Sequence, residues 1–123
     1  MKLLIIGLGG FIGAVMRYSI SGWVQKLLSE NFPYGTLAVN ILGSFVLGYF
    51  LFMSEARSVL NPHWRHFIAI GMIGAMTTFS TFSYETFALL QENLYWHALL
   101  NTFLNVMLTI IAVWAGMITA KLI

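Results

Sequence analysis

Four long apolar segments, joined by short polar stretches, make up almost the whole of this 123-residue chain. They cover residues 3–24, 34–53, 67–90 and 96–120, and each is close to or above the ~20 residues with which an α-helix crosses ~30 Å of hydrocarbon. A backbone in lipid must satisfy its own hydrogen bonds, so continuous runs of this length predict helices, whereas barrel strands alternate over ~10 residues. The segments predict one domain, residues 1–123, with four transmembrane helices.

The composition agrees with an all-α integral membrane protein of the cell membrane. Hydrophobic residues make up 59% of the chain and charged residues 8%, where a soluble domain carries about a quarter charged residues. The net charge of +2 is too small to indicate a nucleic-acid partner, and the absence of cysteine excludes disulfides and thiol chemistry. The first segment contains Arg17 and lacks a clear cleavage motif, so we predict a membrane helix there and not a signal peptide.

The basic residues are distributed unevenly between the two ends of a four-helix bundle. Lys2, Arg57, Arg65 and Lys121 fall on one side and Lys26 on the other, a modest bias that predicts cytoplasmic termini. Arg17, at the end of the first segment, has two readings. Either it reaches the lipid headgroups, or it raises the local concentration of anions at a vestibule.

Pairs of small residues four positions apart predict close helix packing. Each pair lies on one helix face and lets a neighbouring backbone approach closely. This pattern indicates packing and not activity. The pairs are Gly9 and Gly13, Gly10 and Ala14, Ser44 and Gly48, and Gly71 and Ala75.

Amides and hydroxyls occur at positions that should lie deep in the membrane. Asn40 is near the centre of the second segment, and Asn101, Asn105 and Thr109 recur every four residues on the fourth, which aligns them as one polar stripe. The stripe predicts either interhelical hydrogen bonds, worth ~0.6 to 2 kcal/mol each, or a solute path lined by neutral groups, which we favour. Four apolar helices leave little room for a polar conduit, so we expect the path between two copies, with the stripe of a single copy facing lipid.

The third segment contains the sequence TTFSTFS, residues 77–83, with five hydroxyl residues and two phenylalanines. Phe79 and Phe82 are three residues apart and share a helix face, and the edges of their rings carry the positive part of the aromatic quadrupole. Hydroxyl groups, amide groups and ring edges can coordinate an anion without a full positive charge that would trap it. The stretch therefore favours an anion over a cation as the conducted species.

The same stretch predicts a break of the third helix in the middle of the membrane. Serine and threonine compete for main-chain hydrogen bonds, and Gly71 and Gly74 lie just upstream. Carbonyl oxygens freed by such a break suit a monovalent cation held structurally. Glu85 is the one carboxylate well inside a segment, so proton-coupled transport has few candidate groups.

Three stretches resemble the signatures of the CrcB/Fluc fluoride channels: GGFIGAVMRY, GTLAVNILGSFVLGY and GMIGAMTTFSTFSYE. The resemblance covers essentially the whole chain. It implies an antiparallel, dual-topology homodimer with two fluoride pores at the interface, a structural sodium ion at its centre and no obligate protein partner. The implied function is passive export of cytoplasmic fluoride, which gives fluoride resistance and needs no enzymatic activity.

The resemblance also implies roles for individual residues. Phe79 and Phe82 would contact fluoride with their ring edges, and the carbonyl groups of Gly74 and Thr77 would hold sodium. Asn101, Asn105 and Thr109 depart from the family pattern, because they stand where the family has a track of hydroxyl and aromatic hydroxyl groups. Asn40, Ser80 and Thr81 would complete the pore, with Glu85 near its exit and Arg17 at a vestibule.

Two other functions remain open from the sequence. A small multidrug-resistance exporter also has four short helices and dual topology, but it needs a glutamate in its first helix, and residues 3–24 contain none. A non-transporting assembly subunit would leave Asn40, Asn105 and TTFSTFS as packing groups.

Overall fold

The computed structural model describes residues 1–58 and 60–123, and in these ranges all regular structure is helical. Four helical spans are long and apolar enough to cross a membrane, as predicted. The third span, Pro62–Gln91, contains a π-helix and several shorter helices. In chain order the elements are α1 (Lys2–Leu28), α2 (Tyr34–Ala56), α3 (Pro62–Trp64), the π-helix (Arg65–Ile73), α4 (Gly74–Met76), α5 (Phe79–Gln91) and α6 (Tyr95–Leu122).

The helices extend beyond the apolar segments from which they were predicted. The first helix continues to Leu28, and the third span begins at Pro62 and not at residue 67. The side chain of Asn61 caps this start by accepting a hydrogen bond from the backbone N–H of His63 at 2.9 Å. Proline suits the first helical position, because an N–H group there would have no hydrogen-bond partner within the helix. Hydropathy marks the hydrocarbon layer only, whereas helices continue into the polar layer.

Glycines allow two helix pairs to pack backbone against backbone. The helix α1 lies against the π-helix, where a Cβ atom on Gly13 would overlap the carbonyl group of Met72. The helix α2 lies against α6, where a Cβ atom on Gly48 would overlap the carbonyl group of Val113. The predicted packing role is therefore confirmed for Gly9, Gly13, Gly48 and Gly71, where an added Cβ atom would overlap the backbone of a neighbouring helix.

The core of the single chain contains a polar residue among its most buried side chains. Ile73 and Val39 are almost fully buried, and so is Asn101, of which 1% is exposed. Large apolar side chains of α1 and α6 point outward instead, as the surface of a membrane protein requires. An amide at the centre of the core indicates an internal polar network, which adjoins the candidate site.

Candidate functional site at the helix interruption

The helical pattern of the third span is interrupted at two threonines. Thr77 (φ −83°, ψ 153°) and Thr78 (φ −149°, ψ 121°) have extended backbones between α4 and α5. The N–H of Thr77 still donates to the carbonyl oxygen of Ile73 at 3.0 Å. The side chain of Thr78 caps the next helix by accepting a hydrogen bond from the N–H of Thr81 at 3.2 Å. One helix thus ends and another begins within two residues.

Asn40 of α2 satisfies the interrupted backbone with its carboxamide. The N–H of Thr78 donates to the Asn40 side-chain oxygen at 2.8 Å, and the Asn40 amide donates to the carbonyl oxygen of Thr78 at 3.1 Å. Asn40 is buried, with 8% of its surface exposed. Because a buried backbone group without a partner costs free energy, this double contact stabilises the interruption.

The interruption leaves main-chain groups on both sides without helical partners. In a continuous helix the N–H of Thr78 would donate to the carbonyl oxygen of Gly74, but here it donates to Asn40. The last carbonyl groups of α4 and the first N–H groups of α5 therefore lie outside the helical ladder. The N–H groups belong to a 13-residue helix, whose dipole favours negative charge at that end.

A chain of hydrogen bonds continues from Asn40 into the core; we call Asn40, Asn105, Asn101 and Thr86 the carboxamide relay. The Asn40 amide donates to the Asn105 side-chain oxygen at 3.0 Å. The Asn105 amide reaches the carbonyl and side-chain oxygens of Asn101 at 2.9 and 3.0 Å. The Asn101 amide donates to the hydroxyl group of Thr86 at 2.9 Å, and this hydroxyl donates to the carbonyl oxygen of Phe82 at 2.8 Å. The relay joins α2, α5 and α6.

The relay corrects one expectation about the stripe on α6. The sequence predicted that a single copy would leave the stripe facing lipid, but Asn101 and Asn105 are only 1% and 6% exposed. On the neighbouring helices, the hydroxyl group of Thr86 accepts a hydrogen bond from Asn101, and the Asn40 amide donates one to Asn105. The expectation was wrong because spacing identifies a shared face and not the helix that covers it. Thr109 completes the stripe by donating to the carbonyl oxygen of Asn105.

An open cavity of about 540 Å³ lies beside the interruption, and we call it the break cavity. Its wall carries hydroxyl, amide, aromatic and aliphatic groups and no charged side chain among the described residues. Its lining residues are Asn40, Gly43, Ser44, Leu47, Gly74, Thr77, Thr78, Phe79, Phe82, Asn105, Val106, Thr109 and Ile110.

The two phenylalanines of TTFSTFS meet at this wall with different exposures. Their ring centroids are 5.2 Å apart and the ring planes are inclined by 68°, an edge-on arrangement. Phe82 is buried at 7% exposure, whereas 77% of Phe79 is exposed. Phe82 is therefore part of the wall, and Phe79 reaches outward from the single copy.

The structure brings some of the predicted site residues together at the break cavity and leaves others apart. Ser80 and Thr81 lie exposed in the first turn of α5, outside the cavity lining, and Asn101 is buried behind it. Arg17 lines neither of the two cavities described here. The predicted residues on the wall are Asn40, Gly74, Thr77, Phe79, Phe82, Asn105 and Thr109.

Glu85 lies on a second cavity of about 760 Å³, which we call the acidic cavity. Three carboxylates line it: Glu30 from the loop after α1, Glu85 from the middle of α5, and Glu92 directly after α5. The hydroxyl group of Thr36 donates a hydrogen bond to the Glu85 carboxylate. The remaining lining residues are Gln25, Asn31, Phe32, Pro33, Tyr84, Ala88, Leu89, Leu94 and His97.

Three residues at or near the break cavity received no functional role from the sequence. Thr78 belongs to the quoted stretch but received no role, although its backbone carries the interruption. Ser44 follows Asn40 by one helical turn, a spacing that could have identified it. Thr86 could have been sought as the partner that a buried Asn101 requires.

Comparison with known proteins identifies the family. The model of "CrcB-like protein, Camphor Resistance (CrcB)" matches residues 4–117. A protein of Sulfurovum sp. (strain NBC37-1), named "Fluoride-specific ion channel FluC", is 49% identical over 119 residues, which are 97% of this chain and 93% of that protein. A protein of the same name from Methanocaldococcus jannaschii is also 49% identical, over 97% of this chain and 94% of its own length.

A third relative, "Fluoride-specific ion channel FluC 1" of Methanosarcina acetivorans, is 49% identical over 118 residues, covering 96% of this chain and 89% of that protein. All three relatives are named as ion channels and not as enzymes, in agreement with the expectation from the sequence. The four helical spans make the chain a multi-pass membrane protein. The resemblance seen in the sequence motifs is thereby confirmed, and the chain belongs to the CrcB family.

Proposed function

We propose that this protein conducts fluoride passively and selectively, and that it protects the cytoplasm by letting fluoride leave down its electrochemical gradient. The observation that carries the proposal is the uncharged wall of the break cavity beside a stabilised helix interruption. An ion is conducted when the site replaces its hydration water well enough for the ion to enter, yet binds the ion weakly enough for it to leave again. Neutral donors and aromatic edges meet both conditions for a small anion. The names of the relatives support the same ion.

The proposed pore follows the break cavity and the first turn of α5. Phe79 and Phe82 line the route with their ring planes inclined by 68° to one another. Asn40 also lines it, and its amide donates a hydrogen bond to the carbonyl oxygen of Thr78. The dipole of α5 favours an anion near Ser80 and Thr81. Asn105 and Thr109 line the opposite wall, and Asn101 supports them from behind.

An antiparallel homodimer with dual topology would enclose this route and give two pores. Two features support a second copy: the break cavity is open in the single chain, and 77% of Phe79 is exposed. A protein that inserts in both orientations needs little difference in basic charge between its ends, and the difference here is small. In this arrangement the interruption lies in the middle of the membrane.

We propose a structural sodium ion at the centre of the dimer, held by the carbonyl oxygens of Gly74 and Thr77. The Gly74 carbonyl has lost its usual helical donor, because the N–H of Thr78 donates to Asn40. Carbonyl oxygens suit a hard monovalent cation, so the donor set fits the ion. Removal of sodium, with an organic cation in its place, is expected to lower the melting temperature of the detergent-solubilised dimer. An unchanged melting temperature would contradict the site.

Glu85 and Arg17 are proposed at the ends of the route and not within it. Glu85 lies on the acidic cavity, where it accepts a hydrogen bond from Thr36. Arg17 lies within α1, eleven residues before the helix ends at Leu28, and its positive charge would raise the local concentration of anions.

The rival exporter function is disfavoured by the absence of a coupling group. The helix α1 contains no carboxylate, and the break cavity contains no titratable side chain among its lining residues. A proton-coupled exporter needs such a group in the membrane.

The proposal is tested with the purified protein in liposomes loaded with potassium fluoride or potassium chloride. When a potassium ionophore is added, fluoride is expected to leave rapidly, as read by a fluoride electrode, while chloride stays inside. Protein-free liposomes give the background leak. Equal efflux of both anions would contradict selectivity, and proton movement driven by a drug gradient would favour the exporter.

A further inference from the structure

The side chains on the break cavity differ in whether they still have a hydrogen to donate. Fluoride that leaves water needs hydrogen-bond donors, so a donor already engaged within the chain can help only by breaking its own bond. The side-chain donors on the wall are Asn40, Ser44, Thr77, Thr78, Asn105 and Thr109.

The two carboxamides are fully engaged. One amide hydrogen of Asn40 goes to the carbonyl oxygen of Thr78 and the other to the side-chain oxygen of Asn105. The Asn105 amide is directed at the two oxygens of Asn101. A turn of either amide toward fluoride would leave a buried acceptor without its donor, and at Asn40 it would release the interruption itself.

The three threonine hydroxyls are also engaged. Thr77 donates to the carbonyl oxygen of Ile73 at 3.1 Å, and Thr109 donates to that of Asn105 within its own helix. The hydroxyl of Thr78 lies 3.1 Å from that of Thr81, to which it donates while it caps α5.

Ser44 is the exception on this wall. Within residues 1–58 and 60–123 its hydroxyl makes no hydrogen bond, and its side chain is half-buried on the cavity lining. It lies one turn beyond Asn40 on α2, and Phe82 of α5 lines the same cavity. The hydroxyl is uncharged, so it can donate a short bond to an anion without holding it as an ammonium group would.

We propose that the hydroxyl group of Ser44 donates a hydrogen bond directly to fluoride in the break cavity, and that Asn40 and Asn105 act as positioning residues. This assignment rests on the proposed function, since it names a donor within the fluoride route. It divides the hydrogen-bonding side chains of the wall into one hydroxyl group that contacts the ion and a carboxamide relay that keeps the wall in shape.

The test compares Ser44→Ala with Ser54→Ala, which removes a hydroxyl from the same helix outside both cavities. Fluoride efflux from liposomes is measured over a range of fluoride concentrations. A hydrogen bond to a charged group is strong enough that its loss should lower the flux at low fluoride about tenfold and raise the half-saturating concentration. Ser54→Ala should match the parent protein. Ser44→Thr, which keeps a hydroxyl, should retain most of the flux.

The outcomes separate this inference from the proposed function. If the parent protein moves no fluoride, the proposed function fails and the assignment of Ser44 fails with it. If the parent conducts and Ser44→Ala conducts equally at all concentrations, the assignment alone is overturned. It is also overturned if Ser44→Ala changes the sodium dependence of the melting temperature but leaves the half-saturating fluoride concentration unchanged. Size-exclusion chromatography verifies that each variant remains the same assembly.

Discussion

The break cavity and the acidic cavity differ in charge although α5 contributes to both. The break cavity, at the start of α5, is lined by hydroxyls, amides and rings, while the acidic cavity, along the second half of α5, carries Glu30, Glu85 and Glu92. A carboxylate 4 Å from an anion repels it by ~4 kcal/mol at an effective dielectric constant of ~20. The wall of the proposed anion route beside the interruption therefore carries no negative charge, whereas the three carboxylates lie on a separate cavity.

The largest expected effect comes from the aromatic edges of the break cavity. Replacing both Phe79 and Phe82 by isoleucine should abolish fluoride flux, because aliphatic side chains offer no positive edge to the anion. Liposome efflux measures the loss. The assembly should remain intact by size-exclusion chromatography, since the replacement keeps apolar bulk. Undiminished flux in the double variant would remove the rings from the mechanism.

A carboxylate introduced into the neutral cavity tests the comparison itself. Asn105→Asp retains an acceptor for the Asn40 amide but adds negative charge, and we expect fluoride flux to fall about a hundredfold or more. Asn105→Leu removes the hydrogen bonds without adding charge, and we expect a loss of about tenfold. The ratio of the two efflux rates isolates the charge. An aspartate variant that conducts as well as the leucine variant would show that neutrality of this wall is unimportant.

A smaller effect is expected where the carboxamide relay ends. Thr86→Val keeps the shape of the side chain but leaves the buried amide of Asn101 without its acceptor, at a cost of ~1–3 kcal/mol. The melting temperature of the solubilised protein should fall and fluoride flux should decrease several-fold as Asn105 and Phe82 lose support. Thr102→Val, at an exposed hydroxyl that bonds only within α6, should change neither quantity. Equal behaviour of both variants would argue against a positioning role for the relay.

The smallest effect is expected in the acidic cavity. Glu92→Gln removes one exposed carboxylate, so fluoride flux should rise by less than about twofold at low ionic strength. The increase should vanish near physiological salt, where the Debye length is ~8 Å. Efflux measured at both ionic strengths tests this. A large effect that persists at high salt would place Glu92 close to the conducted ion.

The sequence predicted the helical spans, because continuous apolar runs determine spans. The break of the third helix in the middle of the membrane stays a prediction; it was expected within TTFSTFS, the stretch that contains the extended backbones of Thr77 and Thr78. The π-helix Arg65–Ile73 was not predicted. In a segment that is apolar on all sides, hydrophobic periodicity does not distinguish a π-helix from an α-helix.

The site was predicted in part. The residue types on the break cavity were recognised, because Asn40 and the two phenylalanines stand out in apolar helices. The hydrogen bond that the Asn101 amide donates to the hydroxyl group of Thr86 was not predicted, because a spacing of four residues reveals a common face but not the neighbour opposite it. For the same reason the sequence could not reveal that Ser44 keeps a free donor while Asn40 does not.

The central claim is that the neutral route carries fluoride passively and selectively. Its most direct test is the reversal potential of the current across a planar bilayer that contains the protein. The bilayer separates solutions with a tenfold difference in fluoride and equal chloride and potassium, and an impermeant organic anion replaces fluoride on the low-fluoride side. The account predicts reversal at the fluoride equilibrium potential, about 59 mV in magnitude. Reversal near zero, the equilibrium potential of both chloride and potassium, would contradict it.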